Sequence, residues 1–208
     1  MRASQTDSIT SVIFDLGGVV VHWDSGKILE HYYADPDIRT VINQSLFQHP
    51  DWLELDRGTL LEAEAIERLQ QRCHRPREEL ASLFEAVRRS LRPNPAKVEL
   101  LEALARRKVP LYCLSNMPAR TFAYLQERHH FFGVFQGTVI SGEVKMVKPD
   151  RAIFDYLLDR YRLKASQTAF VDDHPANIEA ATALGLRAVW FRDAEQCRAD
   201  LNTLLGSV

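Results

Sequence analysis

The stretch VIFDLGGVV, residues 12–20, opens as an apolar run and breaks at a carboxylate, Asp15, with two glycines, Gly17 and Gly18, close behind it. A parallel strand buried on both faces reads as a continuous apolar run, and ligands in open α/β sheets bind just beyond the carboxyl ends of such strands. Asp15 therefore stands where such a fold does its chemistry.

Four later runs share the character of this one: VPLYCLS (109–115), GVFQGTVIS (133–141), TAFVDD (168–173) and RAVWF (187–191). Each is short, apolar and rich in β-branched or aromatic residues, as strands are. Segments with apolar residues every three or four positions separate them, at 95–108, 118–130, 148–162, 174–185 and 193–205. The first opens with a proline and closes with cations, and Gly185 supplies a helix stop. Strand and helix alternate from residue 95 onward, which predicts right-handed crossovers and a parallel sheet with helices on both faces. Between the first strand and residue 95 the periodicity is helical throughout, in SGKILEHYYADPDIRTVINQSLFQ, TLLEAEAIERLQQRC and PREELASLFEAVRRSL. Residues 22–92 read as an inserted helical cap, with Pro93 and Pro95 marking the return to a core built from 1–21 and 93–208.

The balance of 26 basic and 28 acidic residues, a formal net charge of −2, gives no global field to recruit nucleic acid or an anionic membrane. Arg88-Arg89 and Arg106-Arg107-Lys108 read as solvated helix faces. No stretch approaches the apolar length of a membrane span. The three cysteines, Cys73, Cys113 and Cys197, have no metal-like spacing, and the opening MRASQTDS has no apolar signal core, so the expected location is the reducing cytoplasm. Cys113 reads as a small buried thiol.

Polar residues recur at the strand ends. Asp15 follows the first strand, Ser115-Asn116 the second and Asp172-Asp173 the fourth, while Lys148 opens the helix after the third. Singly, such residues are ordinary helix caps or loop residues. Together at one sheet edge they make a site.

With these residues in place, the sequence resembles the haloacid dehalogenase-like hydrolase superfamily, mainly hydrolases of phosphate esters, in the branch with a helical cap between its first two motifs. DLGGV is similar to the first motif, LSN to the second, KP to the third and VDDHPAN to the fourth, and the resemblance runs from residue 9 to about 193. It implies a three-layer Rossmann-like α/β core with a five-stranded parallel sheet in the order 5-4-1-2-3. Asp15 would be the nucleophile, forming an aspartyl-phosphate that water hydrolyses. Mg²⁺ would be held by Asp15, the backbone carbonyl of Gly17 and an acid of the fourth motif, with Asp173 preferred over its neighbour Asp172 and the swap left open. Asn177 would orient these groups. Ser115 and the backbone amide of Asn116 would bind phosphoryl oxygens, and Lys148 would balance the charge.

One departure stands out. The commonest phosphatase form of the first motif has a second aspartate two residues after the nucleophile, where this chain has Gly17. In the family that acid protonates the leaving alcohol and then activates water, a role worth ~10²–10⁴-fold. A phosphatase of small phosphomonoesters manages without it if the leaving group is good, as in a sugar 1-phosphate, or if a cap residue or water supplies the proton. A 2-haloacid dehalogenase also lacks it, but has no use for the paired acids at 172–173. A third reading is a catalytically weak protein that binds a phosphorylated ligand or a protein partner. The first reading is adopted: a Mg²⁺-dependent phosphatase acting on a small phosphorylated metabolite, with no nucleic-acid or membrane partner, as a monomer or homodimer.

Substrate choice in such enzymes falls to the cap. Gly17, Gly18, His22 and Trp23 are the candidate substrate contacts. Trp52 reads as an aromatic anchor among cap helices and Arg57 as a salt-bridged group before a turn at Gly58. His129-His130, His174 and Arg120 read as structural rather than catalytic.

Overall fold

The computed structural model describes residues 8–206; the segment 1–7, which carries most of the opening stretch read above, lies outside them. The five apolar runs form strands β1 (Ser11–Phe14), β2 (Leu111–Ser115), β3 (Gly137–Ile140), β4 (Thr168–Asp172) and β5 (Arg187–Trp190). All pair in parallel, in the order β3-β2-β1-β4-β5, which is the expected order read from the opposite edge. β1 lies at the centre of the sheet, and each of its four residues is buried. Alternate side chains enter different layers, Val12 and Phe14 packing with Leu101, Cys113, Val171 and Leu201, and Ile13 with Leu114, Phe154 and Phe170. Helices α6 (Pro95–Arg106), α7 (Ala119–Arg128) and α11 (Ala194–Leu205) serve the first layer, α9 (Arg151–Tyr161) and α10 (Pro175–Ala183) the second. The short α8 (Ser141–Val144) follows β3 directly.

After β1 the chain turns sharply, with Gly18 at φ 73°, a left-handed conformation that glycine adopts without the strain a side chain brings. Val20 and Val21 both donate their amides to the Leu16 carbonyl. The chain then leaves the core beside the segment on which it returns: Val21 bridges to Pro93, and the His22 amide donates to the Arg92 carbonyl. Between these two points lie α1 (Ser25–Tyr32), α2 (Pro36–Ile42), a π-helical turn (Asn43–Phe47), α3 (Pro50–Arg57), α4 (Glu62–Cys73) and α5 (Arg77–Ser90). They share an apolar cluster of their own, which includes Leu29, Ile42, Leu46, Leu69, Leu80 and Leu83.

The periodic segment 25–48 is not one helix. Asp35 caps α2 by accepting from the Asp37 amide, and Pro36 sits in its first turn, so the chain restarts there. Helix α3 is one that periodicity did not reveal. Its signals are local: Pro50 in its first turn and Gly58 at φ 72° just past its end. Arg88 corrects the reading of Arg88-Arg89 as a solvated face. Arg89 is exposed, but Arg88 is buried between α4 and α5, where Glu62 and Glu85 satisfy its guanidinium.

Leu83 is fully buried in the helical cluster, so shortening it removes apolar contacts from the centre of that cluster. Leu83→Ala is expected to lower stability by about 2–5 kcal/mol, read as a reduced urea midpoint.

Candidate active site

The parallel register carries Asp15, Ser115 and Asp172 to the same edge of the sheet, since Phe14 pairs with Cys113 on one side and Val171 on the other. Lys148, in the loop after α8, lies buried between two of them. Its Nζ is 2.9 Å from Asp15 Oδ1 and donates to Asp172 Oδ2 at 2.6 Å. Burial works against the ammonium, but the two carboxylates outweigh it and hold its pKa above the ordinary lysine range.

The two acids of the fourth motif are placed differently. Asp172 is completely buried, and its oxygens accept from Lys148 Nζ, the His174 amide (2.8 Å) and Asn177 Nδ2 (3.0 and 3.1 Å). Asp173 is exposed and leans on Gly18, where a Cβ would overlap its carboxylate. Gly18 is thus needed twice, for its positive φ and for the close approach of Asp173. Asn116 has a structural task of its own: Nδ2 donates to the Lys148 carbonyl at 2.9 Å, and Oδ1 accepts from the Lys148 amide at 2.8 Å. That reciprocal clamp fixes the lysine's backbone to the end of β2.

Oxygens of Asp15, Asp172 and Asp173 all lie within 4.8 Å of one another. Burial pushes the Asp15 pKa up to about 7, opposed by Lys148 and aided by the charges of Asp172 and Asp173. The Asp173 carboxyl, though the residue as a whole is exposed, is also raised, by partial desolvation of the group first and by the Asp172 charge second. Three converging carboxylates with one lysine in contact leave uncompensated negative charge and a donor set made only of oxygen. Such a set fits a hard divalent cation such as Mg²⁺.

Above these groups opens a cavity of about 430 Å³. Its floor holds Asp15, Gly17, Ser115, Asn116, Lys148 and Asp173. Its walls are largely apolar and include Trp23, Trp52, Phe84, Val87, Leu91 and Met117. Trp23 stacks on Trp52, with ring centroids 5.5 Å apart and planes 20° apart, and Phe47 meets both edge-on. Trp52 is thus both an aromatic anchor and a cavity wall. His22 and Gly18 do not line this cavity; with Lys97 they border a second hollow, which shares Trp23 with the first. Arg57 pairs with Glu54 and Asp150, and Arg120 with Glu62 and Glu85, so neither is a free phosphate ligand.

Two residues in or beside the cavity carried no signal in the motifs. Ser141 is fully buried, accepts from the Met117 amide (2.8 Å) and donates to the Asp56 carbonyl (2.5 Å). Asp56 itself lines the cavity from the end of α3. Only its neighbours Arg57 and Gly58 attract attention in the sequence.

The family model for haloacid dehalogenase-like hydrolases matches residues 9–185. Among curated proteins, the chain is 30% identical to a sesquiterpene phosphatase of Aspergillus oryzae, astK, over 94% of this chain and 96% of that one. It is also 30% identical to the drimenol cyclase drtB of Aspergillus calidoustus, covering 96% of this chain but 37% of that longer protein. A solved structure of a Bacteroides thetaiotaomicron enzyme of this family, in complex with magnesium and inorganic phosphate, superposes with a TM-score of 0.71 at 22% identity, covering 87% of this chain and 93% of that one.

The carboxylate cluster generates a prediction that needs no turnover. Mg²⁺ at about 100 times its Kd is expected to add about 2.7 kcal/mol of stability and raise the Tm by several degrees. In Gly18→Ala, whose added Cβ displaces the Asp173 carboxylate, differential scanning fluorimetry should show that rise reduced or absent.

Proposed function

The chain belongs to the haloacid dehalogenase-like hydrolases, and we propose that within that family it is a Mg²⁺-dependent phosphatase whose substrates are phosphomonoesters of apolar alcohols. The observation that carries this reading is Asp15, paired with Lys148 and flanked by Asp172 and Asp173, at the foot of a cavity with apolar walls. Asp15 and Asp173 with the Gly17 carbonyl would hold the metal, while Asp172 serves the structure, its oxygens already occupied by Lys148, His174 and Asn177. When bound, Mg²⁺ supplies charge neutralisation between an anionic nucleophile and an anionic phosphoryl group.

The protein's own groups do the rest. One Asp15 oxygen attacks phosphorus, dividing the displacement into formation and hydrolysis of an aspartyl-phosphate. Lys148 keeps Asp15 oriented through its 2.9 Å contact and offsets charge on the phosphoryl oxygens. The Ser115 hydroxyl and the Asn116 amide, at the end of β2, face the same floor and bind those oxygens.

The walls decide the leaving group. A sugar would set hydroxyls against the ring faces of the Trp23–Trp52 stack and against Phe84, Val87 and Leu91, whose carbon surfaces offer them no hydrogen bond. A hydrocarbon skeleton buries there at a gain of roughly 25 cal/mol per Å². The name of the Aspergillus oryzae relative, a sesquiterpene phosphatase, supports the same direction. A dehalogenase reading gains nothing from the converging acids.

The test is phosphate release from farnesyl phosphate, an aryl phosphate and sugar 1- and 6-phosphates, with Mg²⁺ or EDTA, alongside Asp15→Asn. Release should require metal, fall to background in the variant, and favour the isoprenoid ester over the sugar esters by at least about tenfold in kcat/KM, the equivalent of ~1.4 kcal/mol. Preference for the sugar esters would overturn the substrate class. Absence of release from every ester would overturn the phosphatase.

A further inference from the structure

We propose that Asp56, a cap residue at the end of α3, is the general acid and base that Gly17 does not provide, protonating the departing alkoxide and then taking a proton from the attacking water. The proposal rests on the phosphatase reading above and adds a residue and a role to it.

Its ground is geometric. Asp56 lines the cavity that holds Asp15 and Lys148, and it is carried there by a cap element rather than by the first motif. The backbone around it is fastened to the catalytic edge of the core. The Asp56 carbonyl accepts from Ser141 Oγ at 2.5 Å, Gly58 packs so tightly on Gly142 that it has no room for a side chain, and Lys145 Nζ donates to the Gly58 carbonyl. Arg57 adds an ion pair to Asp150 at 3.7 Å. These contacts all lie within residues 141–150, the segment that also carries Lys148, so Asp56 is held in register with the site's own lysine.

Among the described residues, its carboxyl group makes no hydrogen bond or ion pair, whereas those of Glu62 and Asp172 do. Glu62 also lines the cavity but is taken by Arg88 and Arg120, and Asp172 by Lys148 and Asn177. The remaining charged or titratable groups facing this space are Asp15, Lys148, Asp173 and His174. Burial, and after it the nearby Asp15 charge, with Lys148 opposing, pushes the Asp56 carboxyl up to about 7. At neutral pH it therefore has a proton to give and, once ionised, is basic enough to take one back.

The step balances. Asp15 oxygen bonds to phosphorus as the phosphorus–oxygen bond to the alcohol breaks, and the Asp56 proton passes to the alkoxide, leaving the free alcohol and an Asp56 carboxylate. Water then attacks the aspartyl-phosphate, its proton returns to Asp56, and the phosphorus–Asp15 bond breaks to release inorganic phosphate and the Asp15 carboxylate.

The experiment compares wild type with Asp56→Asn on two esters in the presence of Mg²⁺: farnesyl phosphate, whose alcohol is a poor leaving group, and 2,4-dinitrophenyl phosphate, whose phenolate leaves unaided. Because the second ester needs no acid to form the aspartyl-phosphate, its pre-steady-state burst of dinitrophenolate reports folding and nucleophilic attack alone. The expected result is a loss of ~10²–10⁴-fold in kcat/KM on the alkyl ester with the burst rate on the aryl ester close to wild type. An equal loss in both, or an unchanged rate on the alkyl ester, would overturn the role of Asp56 while leaving the phosphatase standing. A wild-type protein without metal-dependent turnover of either ester would overturn the phosphatase reading, and the role with it.

Discussion

A lysine buried between two carboxylates is the constraint around which this molecule is arranged. Lys148 is almost without exposure, as is Asp172, and Asp15 is nearly so. Removing such charges from water costs several kcal/mol per ion unless each is closely paired and otherwise satisfied. The surrounding structure meets that demand from four directions. Asp15 comes from the central strand, Asp172 from its neighbour β4, Asn116 from β2 clamps the lysine's main chain, and Asn177 from α10 completes Asp172. The sheet edge, the loop after α8 and the start of α10 are consequently one unit. A nucleophile in this position is held by the same contacts that keep its charge tolerable.

The helices between β1 and β2 add what the sheet edge lacks. They are joined to the core at the paired linkers, at Ser141 and Gly142, and through Arg120, which reaches Glu62 and Glu85. Trp23 packs against both the core cluster and the helical cluster, so the stacked tryptophans are a seam as well as a wall. The division of labour follows from composition. Polar groups at strand ends form the floor, where phosphate chemistry needs them, and aromatic and aliphatic residues from the helices form much of the wall.

Much of this was legible in the chain. Buried parallel strands announce themselves as short apolar runs, and polar residues at their ends mark a sheet edge, so the five strands, their order and the grouping of Asp15, Ser115, Lys148 and Asp172 could be read from residues and their spacing together with the family resemblance. The difference between Asp172 and Asp173 was readable only as a preference, because one residue's step along a strand end decides which carboxylate turns inward. His22 and Trp23 are adjacent in sequence, yet only Trp23 reaches the cavity over Asp15, and periodicity cannot tell which way each faces. Arg88 looked like its solvated neighbour until α4 supplied Glu62. Asp56 was invisible for a related reason. An aspartate before an Arg-Gly helix end is an ordinary surface residue, and only the docking of Gly58 against Gly142 sets this one, half-buried, at the cavity.

Gly17 connects the chemistry to the choice of substrate. A Cβ built there has room, and its nearest neighbours are Trp23 Cβ at 3.7 Å and Cγ at 3.9 Å. The absence of a side chain is therefore not forced by crowding. An aspartate at this position would bring a carboxylate near the indole that forms part of the apolar wall, the surface against which the proposed hydrocarbon would pack, at the desolvation cost that any charge meets in such surroundings. Leaving position 17 bare keeps that wall continuous down to Asp15. On the proposed assignment of the acid to Asp56 at the end of α3, proton transfer and hydrocarbon binding would occupy separate parts of one cavity, and neither would compromise the other.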